Sequence, residues 1–418
     1  MNDLSPGGAP RGAEAFLHRY EGLRETLPGD GEVRARAAAI LRERGLPVRE
    51  EAFKYTNLRP IVDTAWQEPL VALSDDRDEA ETALPWPALV FQDGRFQHGL
   101  SRLPTSFDAR TFRDDPAMAM PADGDAVGAL NAMLAEDGAV LDVPAGVDGG
   151  LLLIENRGSS TGRPSSFHPR HRVRLGAGAR LALVEVATGD GGYLHAPLFE
   201  VEVADGAHLR HVRLQQEGAE AFHLARIQAV VGAGATYDAF TLGLGARLAR
   251  TELHARLAGQ GAQVHLNAAQ LLGGSQHGDV ATVVRHDAPG CASRQTVKNV
   301  LLGRSRGVFA GRIEVARVAQ QTDGYQMSQA LLLSPDAEVD VKPELEIFAD
   351  DVKCSHGATV GELNEEAMFY LRSRGLPEGE ARGILVRAFL ADALDQVEVE
   401  AARPVLDAAV DRAWEALR

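Results

Sequence analysis

Cysteine is scarce in this chain of 418 residues, which contains only Cys291 and Cys354. A disulfide framework therefore does not organise the fold, because two cysteines this far apart meet only if the tertiary structure brings them together. The first residues also lack the basic and apolar stretches of a secretory signal. Both absences predict a protein of the reducing cytoplasm.

Basic residues, aromatic residues and long apolar runs are scarce too. The chain has 43 Lys and Arg against 59 Asp and Glu, a formal net charge of −16. This charge argues against nucleic acid as a partner, since phosphate binding requires clustered basic residues. No apolar run approaches the ~18 residues that a membrane-spanning helix needs, so no membrane span is predicted. A Walker A motif is absent as well, so nucleotide hydrolysis by this chain alone is not expected.

The N-terminal part of the sequence has a helical and mixed character. Asp30 is placed to cap a helix that extends to Arg44, and Gly45 is a natural residue to end it. Residues 60–125 are rich in Pro and Asp, which is typical of loops with short strands. A further helix is predicted over residues 126–136, because its apolar residues recur on one face.

An internal repeat occupies the middle of the chain. Four Gly-Ala pairs follow strand-like segments at intervals of 28, 28 and 27 residues. The pairs are Gly178-Ala179, Gly206-Ala207, Gly234-Ala235 and Gly261-Ala262. A nearly fixed period in this range is typical of stacked repeats, and glycine supplies turn geometry that other residues resist.

The strand-like segments beside these turns alternate apolar and polar residues, as residues 199–203 do. No helical segment between the repeats is long enough for a βαβ crossover. The pattern favours a mainly β fold, a right-handed parallel β-helix (solenoid) flanked by N-terminal and C-terminal helical regions, over an antiparallel sandwich with evenly spaced turns. We expect an N-terminal helical or mixed region over residues 1–138, a β-helix core over 139–361 and a C-terminal helical domain over 362–418.

The C-terminal region reads as three helices. Asn364 is placed to cap the first and Gly375 to end it, Pro377 is predicted at the first position of the second, and residues 404–417 form the last. We expect the terminal helical regions to cap the ends of the solenoid, which otherwise expose their last strands. Residues 384–390 are apolar on more than one face, which fits either docking of a partner or packing onto the solenoid.

Residues 350–356 gather two acids, a lysine, a thiol and an imidazole. Cys354 and His356 are two residues apart, so on an extended strand both side chains point to the same face. Two residues do not complete a four-coordinate metal site, so the pair would share its ligand with a group from another chain. The alternative is a buried thiol and a hydrogen-bonded histidine at the end of a strand.

Other candidate residues fit structural roles better. Asp350, Asp351 and Lys353 are either an acid–base set or, more simply, a solvated turn with a local ion pair. Cys291 follows Pro-Gly at a predicted turn and is interpreted as structural.

Thirteen histidines are scattered along the chain. The pairs His168 and His171, and His208 and His211, have near-ligand spacing, but in a solenoid metal sites form across coils and not along one strand. We therefore expect most of these histidines to be solvated.

Long segments of the sequence resemble a known family. Residues 330–347 and 349–361, which include the Lys-Cys-Ser-His-Gly motif ending at Gly357, closely resemble the SufD branch of the SufB/SufD family of SUF iron–sulfur cluster assembly proteins. Residues 369–375 and 53–56 are similar to further segments of the same family. SufB-like chains place a sulfur-accepting cysteine in the last β-helix coils, and residues 320–328 have none.

This resemblance implies a right-handed parallel β-helix that pairs with the paralogue SufB through the β-helices and binds the ABC-type ATPase SufC through the C-terminal helices. It further implies a nascent iron–sulfur cluster, transient and shared with SufB, that forms at their interface from persulfide sulfur and iron. His356 matches the histidine implicated at that interface, and Cys354 matches the cysteine of the motif.

The sequence therefore predicts a cytoplasmic, non-catalytic scaffold subunit of a SUF complex. One alternative is an enzyme, a β-helix lyase or hydrolase acting on polysaccharide. The low aromatic content of 6% weakens it, because sugar rings are usually held on exposed aromatic side chains. Another alternative is a homodimer that serves as a storage or scaffold form.

Overall fold

The computed structural model describes residues 13–48, 50–70, 86–117, 125–160 and 162–417. Part of the predicted loop segment 60–125 thus lies outside the described residues. The α-helices in the described ranges are α1 (Ala13–Leu23), α2 (Gly31–Arg44), α3 (Arg59–Val62), α4 (Ala126–Leu134), α5 (Glu365–Ser373), α6 (Glu378–Leu394) and α7 (Arg403–Leu417). None of them is long and apolar enough to cross a membrane.

The strands before the first complete turn, and those of the early turns, are β1 (Ala88–Gln92), β2 (Arg95–Phe96), β3 (Asp108–Thr111), β4 (Ala139–Val143), β5 (Asp148–Ser159), β6 (Ser165–Phe167), β7 (Arg170–Leu175), β8 (Arg180–Asp190), β9 (Tyr193–His195), β10 (Leu198–Val203), β11 (His208–Gln215), β12 (Phe222–Val231) and β13 (Thr236–Gly243). The later strands are β14 (Leu248–Leu257), β15 (Gln263–Leu272), β16 (His277–His286), β17 (Ala292–Leu301), β18 (Arg306–Val315), β19 (Thr322–Leu332), β20 (Glu338–Ile347) and β21 (Val352–Gly361).

The strands form the two sheets of a solenoid, which are parallel except for the antiparallel pairs β1–β2 and β3–β4. Sheet A runs in the order β20-β18-β16-β14-β12-β10-β7-β4-β3, and sheet B in the order β2-β1-β5-β8-β11-β13-β15-β17-β19-β21. Each of about eight turns contributes one strand to each sheet. The mainly β solenoid with helices at both termini, predicted from the repeat, is confirmed.

The predicted glycines lie at the turns from sheet A into sheet B. Gly178, Gly206, Gly234 and Gly261 all have positive φ, between 58° and 70°. Each donates its N–H to a carbonyl of the next turn, as Gly178 does to Asp205 at 2.9 Å, so the turns stack in register. The alanines that follow are buried in the solenoid core. The Gly-Ala repeat is thus the sequence signature of one corner of the solenoid.

The length of a turn changes along the solenoid. Arg180 pairs with His208, 28 residues later, whereas Ala292 pairs with Asp323, 31 residues later. The additional residues lie in the turns, because the paired strands remain in continuous register. This increase in turn length explains why the repeat is harder to recognise in the later part of the sequence.

The core consists of three layers of apolar contacts. Alternate residues of both sheets, such as Leu183, Leu209 and Ile227, pack together in the lumen between the sheets. Helices α1, α2 and α4 cover part of the outer face of sheet A, and α6 and α7 cover part of the outer face of sheet B. The alternation predicted for residues 199–203 therefore places one face in the lumen.

Several helix ends follow the predicted signals. The Asp30 side chain accepts hydrogen bonds from the N–H groups of Glu32 and Val33, and the Asn364 side chain accepts one from Ala367. Pro377 is the residue before the first turn of α6 and not its first helical residue, a shift of one position.

The expected cap at the C-terminal end of the solenoid is absent in the described part of the chain. The helices α6 and α7 pack sideways against sheet B and leave the last turn, β20 and β21, at the end of both sheets. The expectation is wrong because the apolar faces of these helices match the outer face of sheet B. At the opposite end β3 pairs with β4 and β1 pairs with β5, so strands cover the first turn.

Candidate interface site at the open end of the solenoid

The last turn of the solenoid offers two unpaired strand edges in the described structure. Strand β20 is hydrogen-bonded only to β18, and β21 only to β19. Both edges are ten residues long, and most of their residues are half-buried or exposed. Exposed apolar side chains lie here, including Phe348, which is 64% exposed, and Val360, which is 54% exposed. Uncovered strand edges of this length are templates for pairing with another chain.

Cys354 and His356 lie on β21, on the same face, as their spacing predicted. Cys354 is in register with Gly324 and His356 with Gln326. Gln326 is completely buried on the lumen side of β19, so both candidate residues point toward the lumen at its open end. Cys354 is half-buried there, whereas His356 is exposed.

The Cys354 thiol contacts the apolar wall of the lumen. It packs with Ile313, Leu345 and Val352 at the end of the core. A β-carbon at Gly324 would lie 3.3 Å from the sulfur, so glycine at that position makes room for the thiol. Burial raises the pKa of Cys354, which makes it a weaker nucleophile than a free cysteine at neutral pH.

Polar side chains line the lumen directly beneath His356. Gln295 and Gln326 are completely buried in successive turns, and Ser328 is 1% exposed. The Gln326 amide and the Ser328 hydroxyl have no hydrogen-bond partner within the protein. Buried polar groups without partners are rare and call for a ligand, a water or a functional role. This end of the lumen therefore provides donors and acceptors next to the exposed imidazole.

The two acids of the same segment belong to the turn between β20 and β21, and the lysine is the second residue of β21. Asp350, Asp351 and Lys353 are exposed. The backbone N–H of Asp351 donates to the side-chain carbonyl of Gln320 at 2.9 Å, which fixes the turn. This arrangement is the solvated turn, the simpler of the two interpretations of this set.

Cys291 is a structural residue of the core. Its side chain is completely buried, and its Sγ donates to the carbonyl of Gly259 at 3.3 Å. Burial raises the pKa of this thiol. Both cysteines are free thiols.

The expectation that most histidines are solvated is wrong. Six of them are buried, and three are exposed. The buried ones are His168, His171, His195, His211, His223 and His286. They stand at lumen or inter-layer positions that hydropathy alone does not distinguish. The low weight given to His208 and His211 was justified, because residues three apart on one strand lie on opposite faces, and only His211 points inward.

A buried polar cluster in the early turns was not predicted. Arg213 and Glu185 form an ion pair on neighbouring strands, both nearly inaccessible to solvent. Glu217 lies 2.9 Å from Nδ1 of His195 and 2.7 Å from Nδ1 of His223. The sequence signal is a charged residue at an inward position of an otherwise apolar strand, as in Val-Arg-Leu around Arg213. Such a cluster fixes the packing of the lumen.

Residues 303–307 have the Gly-x-Ser-x-Gly spacing of hydrolases, but not their geometry. Ser305 lies in the turn between β17 and β18, is completely buried, and donates its hydroxyl to the carbonyl of Leu272 at 3.2 Å. A nucleophile on a strand-to-helix elbow would be exposed. The Gly-x-Ser-x-Gly spacing therefore does not mark a hydrolase active site in this chain.

The short aromatic segment 53–56 anchors the N-terminal region to sheet A. Phe53 lies under the guanidinium of Arg250, with 4.2 Å to the ring centroid. Thr56 donates to Asp279 and lies 3.0 Å from Nε2 of His277. These contacts give the segment a structural role.

The C-terminal helices expose apolar residues on their far side. Phe369 is 75% exposed, Tyr370 is 56% exposed and Ile384 is 43% exposed. The opposite face of α6 is buried against sheet B through Val386 and Leu390. The packing alternative for residues 384–390 is therefore confirmed for one face, and docking of a partner on the uncovered face stays a prediction.

Comparisons with known proteins show which family this chain is similar to. The model of the "SUF system FeS cluster assembly, SufBD core domain" matches residues 156–389, more than half of the chain. "Iron-sulfur cluster assembly protein SufD" of Escherichia coli (strain K12) is 32% identical over 368 residues, 85% of this chain and 86% of that protein. This chain belongs to the SufBD family. The resemblance to the SufD branch is thus confirmed.

Other relatives match over shorter segments. A SufBD family protein of Synechocystis is 37% identical over 166 residues, 40% of this chain and 37% of that protein. The chloroplastic protein ABCI7 of Arabidopsis thaliana is 35% identical over 165 residues, 39% of this chain and 35% of that protein. The family model itself spans the last turn of the solenoid, so Cys354 and His356 lie inside the matched core.

Proposed function

We propose that the chain is a cytoplasmic scaffold subunit of a SUF complex, not an enzyme, and that it pairs with a SufB-like paralogue through the open end of its solenoid. The observation that carries this proposal is the pair of uncovered edges, β20 and β21, beside an exposed imidazole. Edge strands gain their missing hydrogen bonds by pairing with strands of another chain.

The nascent iron–sulfur cluster forms at this interface as cargo, transient and shared with the SufB-like partner. His356 supplies an imidazole, a good ligand for iron, and ligands from the partner complete the site. Cys354 lies two residues away on the same face. Because its thiol is half-buried whereas His356 is exposed, its role at the cluster is secondary to that of His356. No iron–sulfur cluster is stably bound by this chain alone.

The ATPase SufC is the partner for the C-terminal helices. The exposed Phe369, Tyr370 and Ile384 support a docking surface there, separate from the open end of the solenoid. A homodimer through β20 and β21 remains the alternative use of the same edges. The polysaccharide-cleaving alternative has less support, because the relatives above are named for iron–sulfur cluster assembly and not for carbohydrate cleavage.

The test is co-expression of this chain with its SufB-like and SufC-like partners, followed by affinity purification and assays of iron and sulfide. We expect His356→Ala to retain the complex and to lose most of the iron and sulfide. The matched control is His98→Ala, another exposed histidine far from the last turn, which should behave as the wild type. Unchanged iron and sulfide in His356→Ala would refute the site, and failure to form any complex would refute the scaffold role.

A further inference from the structure

A second cluster of imidazoles and carboxylates lies on the outer face of sheet B. Arg210, Asp238 and His265 face one another across the adjacent strands β11, β13 and β15. His208 stands two residues before Arg210 on the same face. Asp238 therefore lies between two imidazoles from different turns, an arrangement that the sequence spacing of single strands does not reveal.

The fifth side chain comes from the C-terminal region. Glu398 follows α6 and lies opposite the cluster, with Oε2 at 2.9 Å from Nε of Arg210 and 3.9 Å from Nε2 of His208. The Nε2 atom of His208 is also 2.5 Å from Oδ2 of Asp238. One ligand atom from each of His208, Asp238 and Glu398 lies within 4.8 Å of the others.

These three atoms form a donor set that suits a metal ion. One imidazole nitrogen and two carboxylate oxygens are typical ligands of first-row divalent cations, and three protein ligands leave a position open to solvent. The neighbouring side chains hold the carboxylate ligands in position. Nδ1 of His265 contacts the other oxygen of Asp238, and Arg210 holds Glu398. Partners of this kind orient metal-binding carboxylates.

Charge in the cluster favours a cation. Asp238 and Glu398 supply two carboxylates, and Arg210, in contact with Glu398, is the permanent cation of the cluster. The other basic side chains that line the same groove are engaged elsewhere, since Arg294 pairs with Asp323 and Lys298 pairs with Asp392.

The cluster is also accessible. It lies in a groove of about 520 Å³ between sheet B and the segment after α6. The His208 side chain is 23% exposed and that of Glu398 is 51% exposed. A cation can therefore enter without unfolding of the chain.

We propose that His208, Asp238 and Glu398 bind one divalent first-row transition-metal cation, with His265 and Arg210 orienting the two carboxylates. The cation links the solenoid to the C-terminal helices, because two of its ligands belong to sheet B and the third follows α6. The proposal is independent of the proposed scaffold role and of the site at His356.

The test uses the full chain after treatment with a chelator. Titration calorimetry with Zn²⁺ and the visible absorption of added Co²⁺ are expected to show one equivalent of saturable binding. His208→Ala and Glu398→Gln should each weaken binding about tenfold or more. Bound Zn²⁺ should also raise the thermal unfolding temperature and slow amide exchange in residues 395–402 of the wild type, but not in these two variants.

Two controls keep the test specific. His254→Ala removes an imidazole that lies 2.9 Å from Glu252 on sheet A, and it should leave the affinity unchanged, because that carboxylate is already held by Arg226 and Arg250. His356→Ala should also bind as the wild type.

Absence of saturable binding overturns the proposal, as does equal affinity in a His208→Ala, Glu398→Gln double variant. Loss of Zn²⁺ binding in His356→Ala overturns it too, because the cation then lies at the open end. Glu398 is half-exposed, so its variant is expected to fold even if a variant of the more buried Asp238 does not.

Discussion

The early turns and the last turn of the same solenoid have different interiors. Between β7 and β14 the lumen is filled by aliphatic and aromatic side chains around a paired ionic cluster, and helices cover part of the outer face of each sheet. Beneath β20 and β21 the lumen contains glutamines and a serine beside the apolar wall around Ile313, and the end is open. The comparison suggests that one repeat architecture supplies stability in its early turns and an interface in its last.

The largest expected loss of stability comes from a substitution in the early turns. Arg213→Met should lower the free energy of unfolding by about 3–5 kcal/mol, because it leaves the buried Glu185 carboxylate without its partner. Denaturant unfolding followed by circular dichroism measures it. The control is Arg294→Met, whose pair with Asp323 is about half-exposed and should contribute less than about 1 kcal/mol. Equal effects of the two variants would mean that the inner pair does not stabilise the early turns.

Truncation of one leucine in each region tests whether apolar packing stabilises the early turns more than the last turn. Leu209→Ala should cost about 2–5 kcal/mol, because Leu209 is completely buried among lumen residues. Leu345→Ala, on half-exposed β20, should cost clearly less in the isolated chain. The same denaturant measurement applies, and a larger loss at Leu345 would contradict the assignment of stability to the early turns.

A substitution in the last turn should affect binding of the partner more than it affects the stability of the isolated chain. Val360→Asp places a charge on the exposed edge β21 and should change the stability of the isolated chain by less than about 1 kcal/mol. It should nevertheless weaken complex formation with the SufB-like partner in the co-purification described above. Val230→Asp, on the exposed face of β12, is the matched control and should leave the complex intact. Equal recovery of the complex with both variants would exclude the edge as the interface.

The smallest expected effect concerns the two thiols. Iodoacetamide should modify Cys354 faster than the completely buried Cys291, and more slowly than free cysteine at neutral pH. Because burial raises the pKa of Cys354, the thiolate appears only at higher pH, so the rate should still be rising above pH ~9. Mass spectrometry of the two peptides measures both rates. Faster modification of Cys291 would show that the lumen opens more readily at Gly259 than at its end.

Local signals in the sequence determined the repeat, its turns and several helix boundaries. The Gly-Ala pairs predict the corner of the solenoid because a positive φ is a property of one residue and its immediate neighbours. Asp30 and Asn364 predict helix starts because capping bonds span only two or three residues. The spacing of Cys354 and His356 predicts a common face for the same reason, since strand alternation is local.

Only the tertiary structure decided which groups meet across turns. The pairs Glu185 with Arg213 and His208 with Asp238 are about one turn apart, so no local pattern connects them. The same holds for the uncovered last turn, because whether α6 and α7 cap the end or pack on sheet B depends on which surfaces fit best. The sequence by itself determined a solenoid of this family and its motif. The packing of distant apolar faces determined that the motif stands at an open edge, since burial and exposure are properties of the whole chain.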